Sequence, residues 1–322
     1  MTEHIVVLDG YTLNPGDINW NSLQVLGDLD IHDRTAEDLI LKRAKGATCI
    51  LTNKTPLTRE TINALPDLKY IGVLATGYNV VDIEAAAERD IVVANIPTYG
   101  TDSVAQHVAA LLLNYARGIV VHDQAVKAGE WSNNDDWCFS RQPMFELNGK
   151  TLGIVGIGRI GLASARLGAA LGMRLIAYDL YFPDAEKLAG LEVEKVELDE
   201  LFKRSDAITL HCPLTPENEN MVNAGRLKMM KSSALLINTS RGPLINNHDL
   251  ADALHAGVIG GAAIDVLDVE PPPSDNPLLS APNCVITPHI AWYAKEARAR
   301  LMEIAADNLR EFLAGNTQNK VN

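Results

Sequence analysis

Short apolar runs alternate with amphipathic stretches through the first hundred residues. Positions 5–8, 48–52, 70–74 and 91–94 are dense in Val, Ile and Leu, the composition of strands buried on both faces. Between them, 35–45, 59–65 and 82–89 carry apolar residues at helical spacing. This rhythm predicts a parallel sheet covered by helices on both sides. Around 97–102 it changes. Ser103-Val-Ala-Gln106 reads as a capping box, in which the Ser103 hydroxyl bonds the Gln106 amide and Gln106 reaches back. It is expected to open a long apolar helix from 104 to about 117. Residues 129–148, with Trp131 and Trp137, have no period, and an aperiodic segment that long is usually functional or interfacial. From Lys150 the alternation restarts, with strands expected at 151–155, 174–178, 207–210, 234–238 and 285–287. Helices are expected at 159–171, 223–230 and 248–256, and a final one at 294–313.

The length of 322 residues suits two domains, and 47% hydrophobic with 21% charged residues is an ordinary globular mixture. The longest apolar patches fall far short of the roughly 20 residues a membrane span needs. The N-terminus has no basic start followed by an apolar run. The expectation is a soluble cytoplasmic protein without membrane partners. The net charge of −13, from 41 acidic and 28 basic residues, opposes binding to a phosphate backbone, so nucleic acid is not expected as a partner. A small anion remains compatible, because one or two local cations can capture it. Cys49, Cys138, Cys212 and Cys284 are scattered, with no C-x-x-C pair, which fits reduced thiols and no metal site. Cys212 follows His211, but neighbours on a strand point to opposite faces and do not form a nucleophile–base pair.

The strongest local signal is Thr151-Leu-Gly-Ile-Val-Gly156-Ile-Gly158-Arg159-Ile160-Gly161, an apolar strand entering G-x-G-x-x-G and then a helix. Gly156 permits the tight turn, Gly158 admits a pyrophosphate to the backbone, and Gly161 lets the helix lie against the strand. The next strand candidate ends in Asp179, near the spacing at which an acid holds the adenosine ribose. A carboxylate there repels a 2′-phosphate, and Leu180 and Tyr181 bring no cation, so NAD is favoured over NADP. The plainer reading is a glycine-rich turn with Asp179 as a strand-end cap.

Three ionisable residues follow apolar runs in the second half: Arg241 in Asn238-Thr-Ser-Arg-Gly, Glu270 in Asp265-Val-Leu-Asp-Val-Glu-Pro-Pro, and His289 in Thr287-Pro-His-Ile-Ala-Trp. Strand C-terminal ends are where α/β sheets bind ligands. Reduction of a keto acid needs a proton donor, a cation for the carboxylate and a group that stabilises the charged donor. Histidine, arginine and a carboxylate supply these in turn. Each also has an ordinary reading: a loop anchor, a solvated acid before a turn, a histidine at a strand end.

Taken in order, the glycine fingerprint with Asp179, Asn-Thr-Ser-Arg-Gly, Asp-Val-Leu-Asp-Val-Glu-Pro-Pro and Thr-Pro-His-Ile-Ala-Trp resemble the D-isomer-specific 2-hydroxyacid dehydrogenases. The resemblance covers essentially the whole chain, including Leu74-Ala-Thr-Gly-Tyr-Asn-Val-Val-Asp82. It implies an α/β architecture of two doubly wound parallel-sheet domains. Residues 1–101 with 290–322 would form a flavodoxin-like substrate domain, and 102–289 an NAD-binding Rossmann domain. It implies His289 as acid/base, Glu270 as its partner and Arg241 as substrate clamp. Thr76 and Gly77 would meet the substrate carboxylate with backbone amides. Asp265 would hold the nicotinamide carboxamide, and His211, Cys212, Pro213 and Thr239 would line the cofactor groove. The segment 129–148 resembles the family's dimerisation arm, implying a homodimer. Relatives acting on phosphorylated substrates tend to carry Arg after the strand at 48–52 and often have a further C-terminal domain; here Thr52 and Asn53 align with that position, and Asn53 joins the substrate candidates. Tyr78-Asn79 and His-Ile-Ala-Trp292 resemble the glycerate dehydrogenase (hydroxypyruvate reductase) branch. The expected substrate is a small 2-keto or 2-hydroxy carboxylate, hydroxypyruvate or glyoxylate first, with pyruvate or phosphohydroxypyruvate as alternatives. Two other readings share the fold: an NADH-sensing interaction module, and a formate dehydrogenase. Glu270 speaks against the last, since that branch has Gln there.

Overall fold

The computed structural model describes residues 3–322, which divide into two compact units: residues up to Gly100 together with Tyr293–Asn322, and Thr101–Trp292. In the first unit, β1 (His4–Val7), β2 (Asp28–Ile31), β3 (Cys49–Thr52), β4 (Tyr70–Val73) and β5 (Val92–Ala94) form a parallel sheet in the order β2-β1-β3-β4-β5. That is the flavodoxin-like doubly wound order. Ile5, Val6, Val7, Ile50, Leu51, Ile71 and Val73 are fully buried, as strands covered on both faces require. The helix Lys295–Leu313 buries Leu301, Ala305 and Leu309 and sets the Phe312 ring 4.9 Å from that of Tyr70. Arg298, 4% exposed, ties the helix to the N-terminal part of the unit through a two-pronged ion pair with Asp17 at 2.7 and 2.6 Å and a bond to Leu13 O.

The second unit holds β6 (Thr151–Val155), β7 (Arg174–Tyr178), β8 (Val193–Lys195), β9 (Ala207–Leu210), β10 (Leu235–Asn238), β11 (Gly261–Ile264) and β12 (Cys284–Ile286). Their order is β12-β11-β10-β9-β6-β7-β8, and every pairing is parallel. This is the Rossmann order extended by one strand. Chain direction across the sheet reverses between β6 and β9, the switch point where such folds bind ligands. Both sheets confirm the expected α/β class.

Several local expectations need correction. The long helix begins at Thr101 and not after Ser103, so Ser103 lies in its first turn and the capping box does not form. The Ser103 hydroxyl donates instead to Ala291 O at 2.7 Å. The expected helix at 35–45 is a 3₁₀ turn, Glu37–Leu39, followed by the short Ile40–Arg43, in which Ile40 alone is buried. β2 and β8 lie at sheet edges and are largely solvent-facing, so no apolar run announces them. The helix Ile119–Lys127 was also unexpected. It follows Gly118 at φ 59° and leaves Ile119, Val120 and Val121 exposed, which erases the one-sided period. No helix or strand falls between Lys127 and Thr151. Among the described residues, no single helix is long and apolar enough to cross a membrane.

Candidate active site

The glycine loop leaves β6 at the switch point. Gly156 has φ 90°, and a Cβ there would stand 2.6 Å from the Cys212 amide nitrogen, so the loop after β9 closes directly on it. A Cβ on Gly161 would stand 2.1 Å from Gly156 O, the close helix–strand approach expected of the third glycine. Gly158 differs: a Cβ there would meet nothing within 4 Å. The helix Arg159–Ala170 starts beside this open space with no side-chain cap at Gly158, while Gly158 and Arg159 are exposed and Ile160 is half-buried. An uncapped helix start facing open space fits the pyrophosphate of a dinucleotide.

Asp179 ends the next strand and accepts from Ile157 N at 2.7 Å and Tyr181 N at 2.8 Å. It therefore fixes the glycine loop and its own strand end, and each carboxylate oxygen keeps a second lone pair. The cap reading and the ribose reading are compatible. After β9, His211 Nε2 pairs with Thr209 Oγ1 at 3.0 Å, the residue two positions back on the same strand face. Burial drives the His211 pKa down to about 4 and the Cys212 thiol up to about 11, which leaves both neutral and disfavours a thiolate nucleophile. Cys212 O accepts from Ser240 Oγ at 2.6 Å, and the exposed Pro213 accepts through its carbonyl from Asn218. Thr239 Oγ1 is buried with no partner among the described residues, an orphaned polar atom just after β10 that a cofactor would satisfy.

β10, β11 and β12 are adjacent, and each delivers a candidate at the same sheet edge. Asn238, fully buried, folds the loop after β10 over itself by donating to Arg241 O at 2.8 Å and accepting from Ser240 N at 3.0 Å. Arg241 is exposed, its guanidinium donating to Ser240 O. A Cβ on Gly242 would lie 2.0 Å from the Leu267 carbonyl, so the Arg241 loop and the loop carrying Glu270 touch backbone to backbone. Glu270 accepts from Leu267 N at 3.0 Å with Oε1, and its Oε2 lies 2.6 Å from His289 Nδ1. Both side chains are about one-third exposed.

His289 sits in the left-handed region at φ 55°, a conformation that costs about 1–2 kcal/mol and needs support from its surroundings. Asp265 provides it. This residue, 2% exposed, accepts through Oδ1 from Thr287 Oγ1 at 2.5 Å and Ile290 N at 2.9 Å, and through Oδ2 from Ala291 N at 2.9 Å. Its backbone carbonyl accepts from His289 N at 2.8 Å. These bonds hold residues 290–292 in the second unit, and Trp292 Nε1 adds a bond to His289 O.

The remaining candidates lie in the first unit. Asn53 is buried at the end of β3 and donates to Leu74 O at 2.8 Å, linking the loops after β3 and β4. Thr76 and Gly77 follow β4, where Thr76 Oγ1 donates to Ile96 O at 2.8 Å and Thr76 O accepts from Asn95. Sequence reasoning missed Asp9, whose carboxylate accepts from the amides of Asn53, Lys54 and Thr55 at 2.7, 2.5 and 2.8 Å. An acid just after the buried run of β1 was the available signal.

The family model described as "D-isomer specific 2-hydroxyacid dehydrogenase, NAD binding domain" matches residues 109–291. A hydroxypyruvate reductase of Blautia hydrogenotrophica is 51% identical, covering 99% of this chain and 99% of that one. A glycerate dehydrogenase of Methylorubrum extorquens is 40% identical over 100% of this chain and 99% of its own. Among solved structures, the apo form of D-lactate dehydrogenase from Escherichia coli superposes with a TM-score of 0.83 at 30% identity, covering 99% of this chain and 100% of that one. With the glycine loop, the paired His289 and Glu270 and both sheet orders in place, the chain belongs to the D-isomer specific 2-hydroxyacid dehydrogenases, oxidoreductases that use NAD.

Proposed function

We propose that the protein reduces a small 2-keto carboxylate, hydroxypyruvate first and glyoxylate second, to the D-2-hydroxy acid with NADH. The observation that carries the reading is the 2.6 Å His289 Nδ1 to Glu270 Oε2 pair, at the edge shared with Arg241 and on the same sheet as the glycine loop. Bound NADH supplies the hydride. His289, with Nδ1 engaged by Glu270, gives a proton from Nε2 to the carbonyl oxygen as it becomes a hydroxyl. The Glu270 carboxylate stabilises the imidazolium before that transfer. Arg241 pairs its planar fork with the substrate. The amides of Thr76 and Gly77, with Asn53, take the substrate carboxylate. Gly156, Gly158, Arg159, Ile160 and Gly161 hold the pyrophosphate, and Asp179 accepts from the ribose hydroxyls. His211, Cys212, Pro213 and Thr239 line the groove, and the remaining lone pair of Asp265 Oδ2 takes the carboxamide.

The substrate choice draws on the names of the two relatives above and on the absence of Arg at Thr52 and Asn53. A homodimer through residues 129–148 belongs to the same reading. Trp131 and Trp137 are 52% and 86% exposed along that stretch, and aromatic residues of this kind suit an interface. Cytoplasmic location is part of it too, supported by four unpaired cysteines. The test is NADH consumption with hydroxypyruvate, glyoxylate, pyruvate and phosphohydroxypyruvate, followed by chiral analysis of the product. Preference for hydroxypyruvate with a D product supports the reading. Preference for the phosphorylated acid overturns the substrate, and an L product overturns the site geometry.

A further inference from the structure

The helix Thr101–Arg117 sends two side chains to the loop that carries His289. Ser103 and His107 are four residues apart and share one helix face. Ser103 Oγ donates to Ala291 O at 2.7 Å, just after His289. His107 Nε2 lies 3.1 Å from Thr287 Oγ1, just before it. The loop is thus gripped on both sides of the proposed acid by one turn of helix.

The hydrogen-bond directions are constrained. Thr287 has one hydroxyl proton, and the buried Asp265 carboxylate at 2.5 Å takes it. Thr287 Oγ1 must then accept from His107, so His107 carries its proton on Nε2. The same nitrogen is 3.8 Å from Asp265 Oδ1. His107, Thr287 and Asp265 form a chain whose end holds the amides of Ile290 and Ala291 and, through the backbone, that of His289.

We propose that His107 is a positioning residue for the reaction: by donating to Thr287 it fixes the Thr287–Asp265 bond and so the pose in which the loop presents His289. The inference rests on the proposed role of His289. It predicts a larger effect on kcat than on NADH affinity or keto-acid KM, because His107 and Thr287 are assigned no cofactor or substrate contact and reach the proposed carboxamide contact only through Asp265.

The experiment compares wild type with His107→Leu, His107→Gln, Thr287→Val and the Leu/Val double variant, by steady-state reduction, NADH fluorescence titration and thermal unfolding. His107→Leu should lose about tenfold in kcat, the scale of a small misplacement of a reacting group. His107→Gln, whose amide nitrogen can donate from nearly the same place, should recover most of it. The double variant should lose no more than Thr287→Val alone, since both changes break one chain. Wild-type kcat in His107→Leu, or losses that multiply in the double variant, would overturn the proposal. So would a His107→Gln variant as slow as His107→Leu. If His107→Leu does not fold, the glutamine variant with Thr287→Ser, which keeps the hydroxyl, carries the test: both should stay near wild type, and a slow folded variant of either kind overturns it. An inactive wild type on every 2-keto acid would instead bring down the functional reading and this inference with it.

Discussion

Gly158 and Gly161 belong to one fingerprint but are glycines for different reasons, and replacing each with alanine separates the reasons. At Gly158 the backbone is extended, with φ −72°, and a new Cβ meets nothing within 4 Å. Alanine there strains nothing and reduces the freedom of the unfolded chain, a gain of about 0.4–1 kcal/mol. The unliganded protein should unfold at the same temperature or a few degrees higher. The methyl occupies the space proposed for the pyrophosphate, however, so NADH affinity should fall about 10- to 100-fold, roughly 1.4–2.8 kcal/mol. At Gly161 the Cβ would lie 2.1 Å from Gly156 O and 3.3 Å from Ile154 Cγ2. Alanine would gain about 1 kcal/mol of helix propensity. The contact is with backbone that cannot swing away, and overpacking of this kind costs about 1–3 kcal/mol. Crowding wins, and Gly161→Ala should lower the unfolding midpoint without ligand. Differential scanning fluorimetry and NADH fluorescence titration on the two variants provide the assay. A Gly158→Ala protein that binds NADH as wild type does would refute the reserved space. A Gly161→Ala protein as stable as wild type would refute the packing argument.

Three further outcomes follow from contacts described above. Glu270→Gln keeps the shape of the side chain but removes the charge 2.6 Å from His289, and kcat should fall about 10- to 100-fold, the worth of a charged hydrogen bond; a wild-type kcat would detach Glu270 from the mechanism. Asp179→Ala removes the acceptor of the Ile157 and Tyr181 amides together with the charge proposed to face the ribose, so NADH should weaken and the NADH to NADPH preference should drop about tenfold or more; an unchanged ratio removes Asp179 from cofactor choice. The hydrogen bond from Arg298 holds the Asp17 pKa below its ordinary 3.8, so Asp17 stabilises the fold above that value and stops doing so as pH falls through the lowered one. Asp17→Asn should therefore unfold at a lower temperature than wild type at neutral pH, with the gap closing in strong acid, and a pH-independent gap would show that the charge is not what matters.

Fold and site were legible where chemistry constrains a residue locally. β3 and β4 are buried at every position, so their apolar runs stand out. The edge strand β2 reads Asp-Leu-Asp-Ile with half its positions exposed, and nothing in that string separates it from a loop. Gly156 and Gly161 were readable because each answers a steric demand of the fold, whereas the demand at Gly158 comes from the proposed pyrophosphate alone. His289, Glu270 and Arg241 were readable as residue types after apolar runs, but the 2.6 Å pairing depends on strand order, which spacing does not encode. Ser103 misled because Ser-x-x-Gln is a start signal only when the helix begins there, and its hydroxyl is needed 188 positions away. Asp265 shows the same limit. Resemblance assigns it to a cofactor, and its observed bonds add a second task, holding the His289 loop, which is long-range and invisible in the local motif. Asp9 escaped for that reason too, since the amides it accepts from lie 44 to 46 residues further on.

The proposed reaction turns on His289 as the proton donor to a 2-keto acid. The most direct measurement is the rate of NADH consumption with hydroxypyruvate by wild type and His289→Ala, with NADH affinity determined for both. The expected result is a fall of roughly 10²–10⁴ in kcat with NADH binding retained, because the change deletes a proton-transfer group and leaves the glycine loop intact. A His289→Ala protein that reduces hydroxypyruvate at the wild-type rate would contradict it.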